Sequence, residues 1–165
     1  MTLKDDIASN GVPAGTYAIQ CVQNGKYIGP DQALYSRILA VRSEPDPINF
    51  FQFRRFDNGS TGLFNLHHNA FVSLISETRA HEADWYLVAG VKDAMWAAFS
   101  IERNSSDGDN DFWLRSTHPA AQNFPYVQVL TADFYMGVIK TEARHEGTKL
   151  TSDPLWQKLR VTKMD

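Results

Sequence analysis

Short runs of alternating side chains recur along the whole chain. Three of them begin with a turn residue and then alternate an aromatic with an aliphatic side chain, at residues 15–19, 62–66 and 110–114. Alternation with a period of two residues is typical of β-strands that bury one face. Because no long stretch has the spacing of a helical face, the pattern predicts an all-β protein.

The three runs repeat at a nearly constant interval. Tyr17, Phe64 and Phe112 lie 47 and 48 residues apart, which is close to the length of four short strands with their turns. Twelve strands in three such units predict a β-trefoil, a six-stranded barrel capped by three hairpins, with one large side chain per unit at the pseudo-threefold axis. The predicted fourth strands share a second spacing, seen in Phe50-x-x-Phe53, Trp96-x-x-Phe99 and Trp156-x-x-Leu159.

Turn signals divide this predicted domain into three units, at about residues 13–59, 60–109 and 110–165. A β-sandwich would also explain the short strands, but it gives no reason for the threefold spacing. Residues 1–12 are polar and end in a turn signal, so we expect a flexible arm there. We expect no helix, because the best candidate, residues 76–82, has a single aliphatic residue and would be exposed on every side.

Composition excludes several classes of function. A net charge of −3 in 165 residues argues against a nucleic-acid-binding protein, which needs clustered Lys and Arg. No apolar run approaches the about 20 residues that cross a membrane, and the N-terminus lacks an apolar signal core. Together with a single cysteine, Cys21, which we expect to be a buried core residue, this predicts a cytoplasmic protein.

Catalytic and metal-binding motifs are missing from the sequence. It has no paired carboxylates, no Gly-x-Ser-x-Gly elbow and no phosphate loop, so we expect neither an enzyme nor a cofactor. His67 and His68, as neighbours on a strand, would face opposite sides and could not easily share a metal ion. Residues 107–111 resemble the start of a calcium loop, but His118 stands where a bidentate Glu is needed. We therefore expect a turn there and no metal site.

Surface aromatics leave carbohydrate binding open. Asp84, Trp85 and Tyr86 combine a carboxylate with two rings that could stack on a sugar, and Trp113 and Tyr135 are further candidates. The Gln-x-Trp motif of ricin-type sugar-binding trefoils is absent from the sequence. A lectin is therefore the alternative function.

Three motifs in the first 55 residues or so carry a resemblance to a known family. They are Gly15-Thr16-Tyr17-Ala18-Ile19, Gly25-Lys26-Tyr27-Ile28-Gly29 and Leu34-Tyr35-Ser36-Arg37-Ile38-Leu39. On these residues the chain resembles the fungal β-trefoil serine-protease inhibitors of the cospin type and, more distantly, mycocypins and fungal trefoil lectins. The third motif departs from the family pattern, because it lacks the proline that the family has before the basic residue.

The resemblance implies an inhibitor whose rigid surface loop docks on a serine protease in a substrate-like shape. The implied working loop joins the second and third strands and contains Asp31, Gln32, Ala33, Leu34 and Tyr35. A second candidate loop, before the last strand, offers Arg144 and Lys149. Leu34 or Tyr35 would suit a chymotrypsin-like pocket, whereas the two basic residues would suit a trypsin-like one. Protease inhibition is the first prediction, with a protease or a glycan as the expected partner.

Overall fold

The computed structural model describes residues 2–10, 15–31, 37–76, 85–90, 97–119, 126–129, 136–138 and 157–164 of the chain. A helix, α1 (Leu3–Asn10), precedes the first unit, which contains β1 (Tyr17–Cys21), β2 (Tyr27–Asp31), β3 (Arg37–Arg42), a 3-10 turn (Pro47–Asn49) and β4 (Phe50–Arg55). The second unit contains β5 (Thr61–Asn65), β6 (Ala70–Ser76), β7 (Trp85–Ala89) and β8 (Phe99–Glu102). The third contains β9 (Asp111–Ser116), β10 (Gln128–Val129), β11 (Met136–Val138) and β12 (Lys158–Lys163).

The first and fourth strands of the units close a six-stranded barrel. β1 pairs with β4 and β12, β5 pairs with β4 and β8, and β9 pairs with β8 and β12, all antiparallel. The remaining strands form the hairpins β2–β3, β6–β7 and β10–β11, and β7 also pairs with β3 and β11. Closure leaves the barrel without an unpaired edge. This topology confirms the predicted β-trefoil.

Aromatic rings fill the barrel near the start of β1. The Tyr17 and Phe112 rings each meet the Phe53 ring edge to face, with centroid separations of 5.8 and 5.7 Å. All three side chains belong to one core cluster that spans every unit. Edge-to-face pairs of this kind stabilise a core beyond the area that they bury.

The predicted equivalence of Tyr17, Phe64 and Phe112 is wrong in the second unit. The first and fourth strands of each unit are paired, and the registers that correspond in the three units set Tyr17 opposite Phe51, Thr61 opposite Phe99 and Phe112 opposite Leu159. Thr61, not Phe64, is therefore the counterpart of the two aromatics. The same pairs make Phe51, rather than Phe53, the counterpart of Phe99.

Phe64 lies on the other face of its strand. It is three residues beyond Thr61, and an odd offset reverses the direction of a strand side chain. Its neighbour Leu63 belongs to the barrel core. The Phe64 ring instead packs on Phe71, 5.1 Å away between centroids, and under the guanidinium of Arg54 at 3.6 Å.

Helix α1 occupies Leu3–Asn10, within the segment of residues 1–12 where we expected a flexible arm. Its Leu3 is fully buried in the barrel core, and Ile7, one turn later, packs against the same cluster. Asp6 accepts a hydrogen bond from the Tyr17 hydroxyl and lies 3.8 Å from the Lys163 ammonium. Two apolar side chains on one face are enough to hold the helix on the barrel, because the helix covers only the end where β1 begins and β12 ends.

Cys21 is fully buried in the core, as the sequence predicted. Burial raises the pKa of its thiol, since a thiolate would lose its hydration there. No helix in the described ranges combines the length and the apolar character that crossing a membrane requires.

Candidate functional site

An open cleft of about 420 Å³ lies beside the first hairpin and reaches the second unit. Its lining residues are Gly29, Pro30, Asp31, Leu39, Val41, Arg42, Ile48, Asn49 and His67, and we name it the first-unit cleft. Strands β2 and β3 form one wall, the 3-10 turn before β4 forms another, and the turn between β5 and β6 adds His67. The volume falls within the about 300–1,000 Å³ that is typical of small-molecule sites.

A hydrogen-bonded turn fixes the floor of the first-unit cleft. The fully buried Asn49 donates from Nδ2 to the Ile28 carbonyl at 2.9 Å, and its Oδ1 accepts from the Asp46 amide at 3.0 Å. The Asp46 side chain in turn accepts from the Ile48 amide, and together with the Asn49 backbone N–H and side chain it forms a capping box. A Cβ on Gly29 would lie 2.5 Å from Asn49 Nδ2, so glycine lets the amide approach the strand.

The rim of the first-unit cleft carries three different polar groups. Asp31 offers a carboxylate at the end of β2, the exposed Arg42 offers a guanidinium, and the exposed His67 offers an imidazole. Arg42 lies 3.7 Å from an Asp46 carboxylate oxygen, a separation that makes a weak ion pair in water. Beside these groups the wall is apolar, and Val41 is 45% exposed. Hydrogen-bonding groups around an apolar surface suit a ligand with both polar edges and a C–H face.

The two adjacent histidines lie in a turn, not on a strand as the sequence suggested. The turn covers residues 66–69, and Asn65 Oδ1 accepts a hydrogen bond from the His68 amide at 2.9 Å. Their imidazole centroids are 5.4 Å apart. Burial first, and then the charge of His67, lowers the pKa of His68. Across the described ranges no three His, Cys, Asp or Glu side chains come together as a metal site.

A second, smaller cleft lies where the second and third units meet. It has a volume of about 150 Å³, is lined by Glu102, Asn104, Trp113 and Tyr126, and is named here the Trp113 cleft. Trp113 is one of the aromatics that the sequence offered for sugar stacking, and it is half-buried. Residues 104–110 connect β8 and β9 with turns, so the turn that the sequence predicted for residues 107–111 is present up to residue 110, and Asp111 already belongs to β9.

Only some of the candidate site residues that we named from the sequence lie in the described ranges. Asp31 lines the first-unit cleft, which joins it to Arg42, Asn49 and His67. Trp85 and Tyr86 lie on β7, where their backbones pair with β11. The residues that lie outside the described ranges are Gln32, Ala33, Leu34, Tyr35, Asp84, Tyr135, Arg144 and Lys149.

Sequence reasoning missed Arg42, Asn49 and His67 as partners of Asp31. They come from a hairpin strand, a 3-10 turn and the next unit, so no local motif connects them. The one available signal was the order of strands in a trefoil, which places the segment before the fourth strand beside the first hairpin.

No protein-family model matches the sequence, and no curated protein matches it. Many solved structures have a similar fold. A Macrolepiota procera ricin B-like lectin in complex with lactose has a TM-score of 0.63 and 13% identity, over 90% of this chain and 95% of that one. The Rhizoctonia solani agglutinin has a TM-score of 0.63 and 15% identity, over 93% and 97% of the two chains.

A designed protein with threefold symmetry also has a similar fold. ThreeFoil, a designed threefold-symmetric protein, has a TM-score of 0.65 and 11% identity, over 92% of this chain and 100% of that one. Its symmetry corresponds to the three units that the strand pairing defines here. At these levels of identity the likeness shows the fold alone. The chain is a β-trefoil, similar in architecture to the Macrolepiota procera ricin B-like lectin and the Rhizoctonia solani agglutinin.

Proposed function

We propose that this protein binds carbohydrate, and that the first-unit cleft is its binding site. The observation that carries the proposal is the cleft itself, in which Asp31, Arg42 and His67 surround an apolar wall. A pyranose has hydroxyl groups at its edges and C–H groups on its faces, so it matches both parts of this lining. Lactose, which the Macrolepiota lectin holds, is the natural first probe.

Two of the three rim groups, the apolar wall and the floor have distinct parts in the proposed binding. The Asp31 carboxylate accepts hydrogen bonds from sugar hydroxyls, and the Arg42 guanidinium donates to ring or hydroxyl oxygens. Such bonds to charged groups are about twice as strong as neutral ones. Val41, the exposed apolar residue of the wall, contacts the C–H face. The fixed Asn49 turn keeps the floor in place, so little ordering entropy is lost when the ligand binds.

Glycan-array screening followed by calorimetric titration tests the proposal. We expect a labelled preparation to bind a subset of glycans, and Asp31→Asn or Arg42→Ala to weaken binding of lactose, or of the strongest glycan, about tenfold or more. The matched control is Arg55→Ala, because Arg55 is an exposed arginine of β4 that does not line the cleft. Absence of binding to lactose and to every glycan on the array would reject the proposal.

Protease inhibition stays a prediction from sequence. Four residues of its first loop and both residues of its second lie outside the described ranges. The ends of the first loop are held by the antiparallel pair Asp31–Arg37, which would limit the entropy lost on docking. A titration of trypsin, chymotrypsin, subtilisin and papain tests it, and Leu34→Ala should relieve inhibition of chymotrypsin. If none of the four proteases is inhibited at micromolar concentration, the inhibitor hypothesis is rejected and the carbohydrate proposal is unaffected.

A further inference from the structure

The Trp113 cleft is built by strand pairing across two units. The antiparallel register of β8 and β9 sets Glu102 opposite Trp113, and an isolated bridge sets Arg115 opposite Tyr126. Asn104 lies two residues beyond the end of β8 in the chain. Four side chains that are scattered in the sequence therefore line one cleft.

Hydrogen bonds to carboxylates hold both aromatic rings of the Trp113 cleft. The Tyr126 hydroxyl donates to Glu102 Oε2 at 2.6 Å, and the Trp113 indole N–H donates to Asp107 Oδ2 at 3.1 Å. The two rings meet edge to face, with centroids 6.0 Å apart and an interplanar angle of 73°. Rings fixed in this way lose little conformational entropy when a ligand stacks on them.

Cations beside the Trp113 cleft are already paired with carboxylates. Lys158 Nζ lies 3.0 Å from the nearly buried Asp107 carboxylate, and Arg115 Nε lies 3.7 Å from Glu102 Oε1. An anionic ligand would have to compete with these carboxylates for either cation. A cationic ligand would meet the Lys158 ammonium, which lies 6.0 Å from the Trp113 ring centroid. The local charges therefore favour a neutral ligand.

We propose that the Trp113 cleft is a second binding site and that it takes a single neutral sugar ring. A C–H face of the pyranose stacks on an aromatic ring, Glu102 accepts a hydroxyl hydrogen bond, and the Asn104 side-chain amide donates and accepts. The volume of about 150 Å³ suits one ring rather than an extended chain. The lining residues differ from those of the first-unit cleft, so the two sites succeed or fail independently.

Fluorine NMR of protein labelled with 5-fluorotryptophan tests this site. The chain has four tryptophans, and Trp113→Phe identifies the Trp113 signal. Methyl β-galactopyranoside, methyl α-glucopyranoside and methyl N-acetyl-β-glucosaminide are titrated to about 50 mM, which covers millimolar dissociation constants. We expect at least one of them to shift the Trp113 signal saturably, in Arg42→Ala protein as well as in the wild type.

Two variants make the site assignment specific. Glu102→Gln and Asn104→Ala should each weaken the response at Trp113 about tenfold, and Asn104→Ala leaves the Tyr126 and Trp113 hydrogen bonds intact. Glu44→Gln, which changes an exposed carboxylate elsewhere, should have no effect. Equal affinity in both cleft variants, or no shift with any of the three sugars, would overturn the proposal. So would a response that Arg42→Ala abolishes, or a stronger one to phosphate or tetramethylammonium.

Discussion

The Tyr17 hydroxyl donates a hydrogen bond to the carboxylate of Asp6, which joins α1 to the first strand of the barrel. Asp6 is 1% exposed and has the Lys163 ammonium as a second partner at 3.8 Å. A buried carboxylate that loses one partner is strongly disfavoured. We therefore expect Tyr17→Phe to lower the free energy of unfolding by about 1–3 kcal/mol, measured by urea denaturation.

Tyr27→Phe is the matched control for this substitution, because Tyr27 is a half-buried tyrosine of β2. Its effect should stay within about 0.5 kcal/mol. Leu3→Ala is a second test of the docking of α1 on the barrel, because it removes a fully buried side chain. It should lower the free energy of unfolding by about 2–5 kcal/mol. If Tyr17→Phe and Leu3→Ala are both neutral, the helix does not dock on the barrel in solution.

The β-trefoil could be predicted from sequence because the strand pattern repeats, but the register within a unit could not. Tyr17 and Phe112 are true counterparts, whereas Thr61 replaces an aromatic in the second unit. The nearby Phe64 lies at the repeat interval in the sequence, but its side chain faces away from the barrel core. The sequence shows that a position is aromatic, but it does not show whether the ring lies on the outer face of a strand or fills the barrel. Only the strand pairing distinguishes these two cases.

The candidate sites were harder to predict than the fold. Trp113 could be named as a surface aromatic, but its partners Glu102 and Tyr126 become neighbours only through β8–β9 pairing and the Arg115–Tyr126 bridge. Helix α1 was missed for a related reason. Its two apolar residues, Leu3 and Ile7, are too few for an amphipathic pattern, and they matter only because the barrel end is open to receive them.

Gly29→Ala should disturb the floor of the first-unit cleft. The added Cβ would lie 2.5 Å from Asn49 Nδ2 and 3.2 Å from the Ile48 carbonyl oxygen, so Asn49 must move from its bond to the Ile28 carbonyl. A buried amide without its partner costs about 1–3 kcal/mol. We expect that loss in urea denaturation, together with weaker binding of lactose or of the glycan that the array selects.

Gly90→Ala is the control for Gly29→Ala. Among the described residues no atom lies within 4 Å of the Cβ position at Gly90, so its stability should change by no more than about 0.5 kcal/mol. Equal effects at the two glycines would show that the turn carrying Asn49 adapts without cost, and would contradict the rigid floor.

The Cys21 thiol should react slowly in the native protein. It is fully buried and burial raises its pKa, so both access and the fraction of thiolate are reduced. We expect its reaction with a chromogenic disulfide at pH 8 to be limited by local or global opening, and to become fast in denaturant. A native rate equal to the denatured rate would contradict the burial of β1 in the barrel.

Asp107 should make stability depend on pH through the same loop that orients Trp113. Burial opposes its ionisation, but hydrogen bonds from the Asn104 amide, Lys158 and Trp113 together outweigh burial and lower the pKa of Asp107. A carboxyl group whose pKa is lower in the folded state stabilises the fold above its unfolded pKa, here 3.8. That contribution is lost as the pH falls below this value towards the folded pKa.

Asp107→Asn removes this contribution. The difference in unfolding free energy between wild type and variant should be constant from about pH 7 to pH 5 and should shrink below about pH 4, as measured by urea denaturation at each pH. Asp109→Asn, an exposed carboxyl group of the same turn, should show no such change. A difference that persists unchanged at pH 3 would mean that Asp107 acts through its shape and not its charge.

Tryptophan fluorescence of the same samples should change with the stability, because Trp113 loses its hydrogen-bond acceptor when the turn opens.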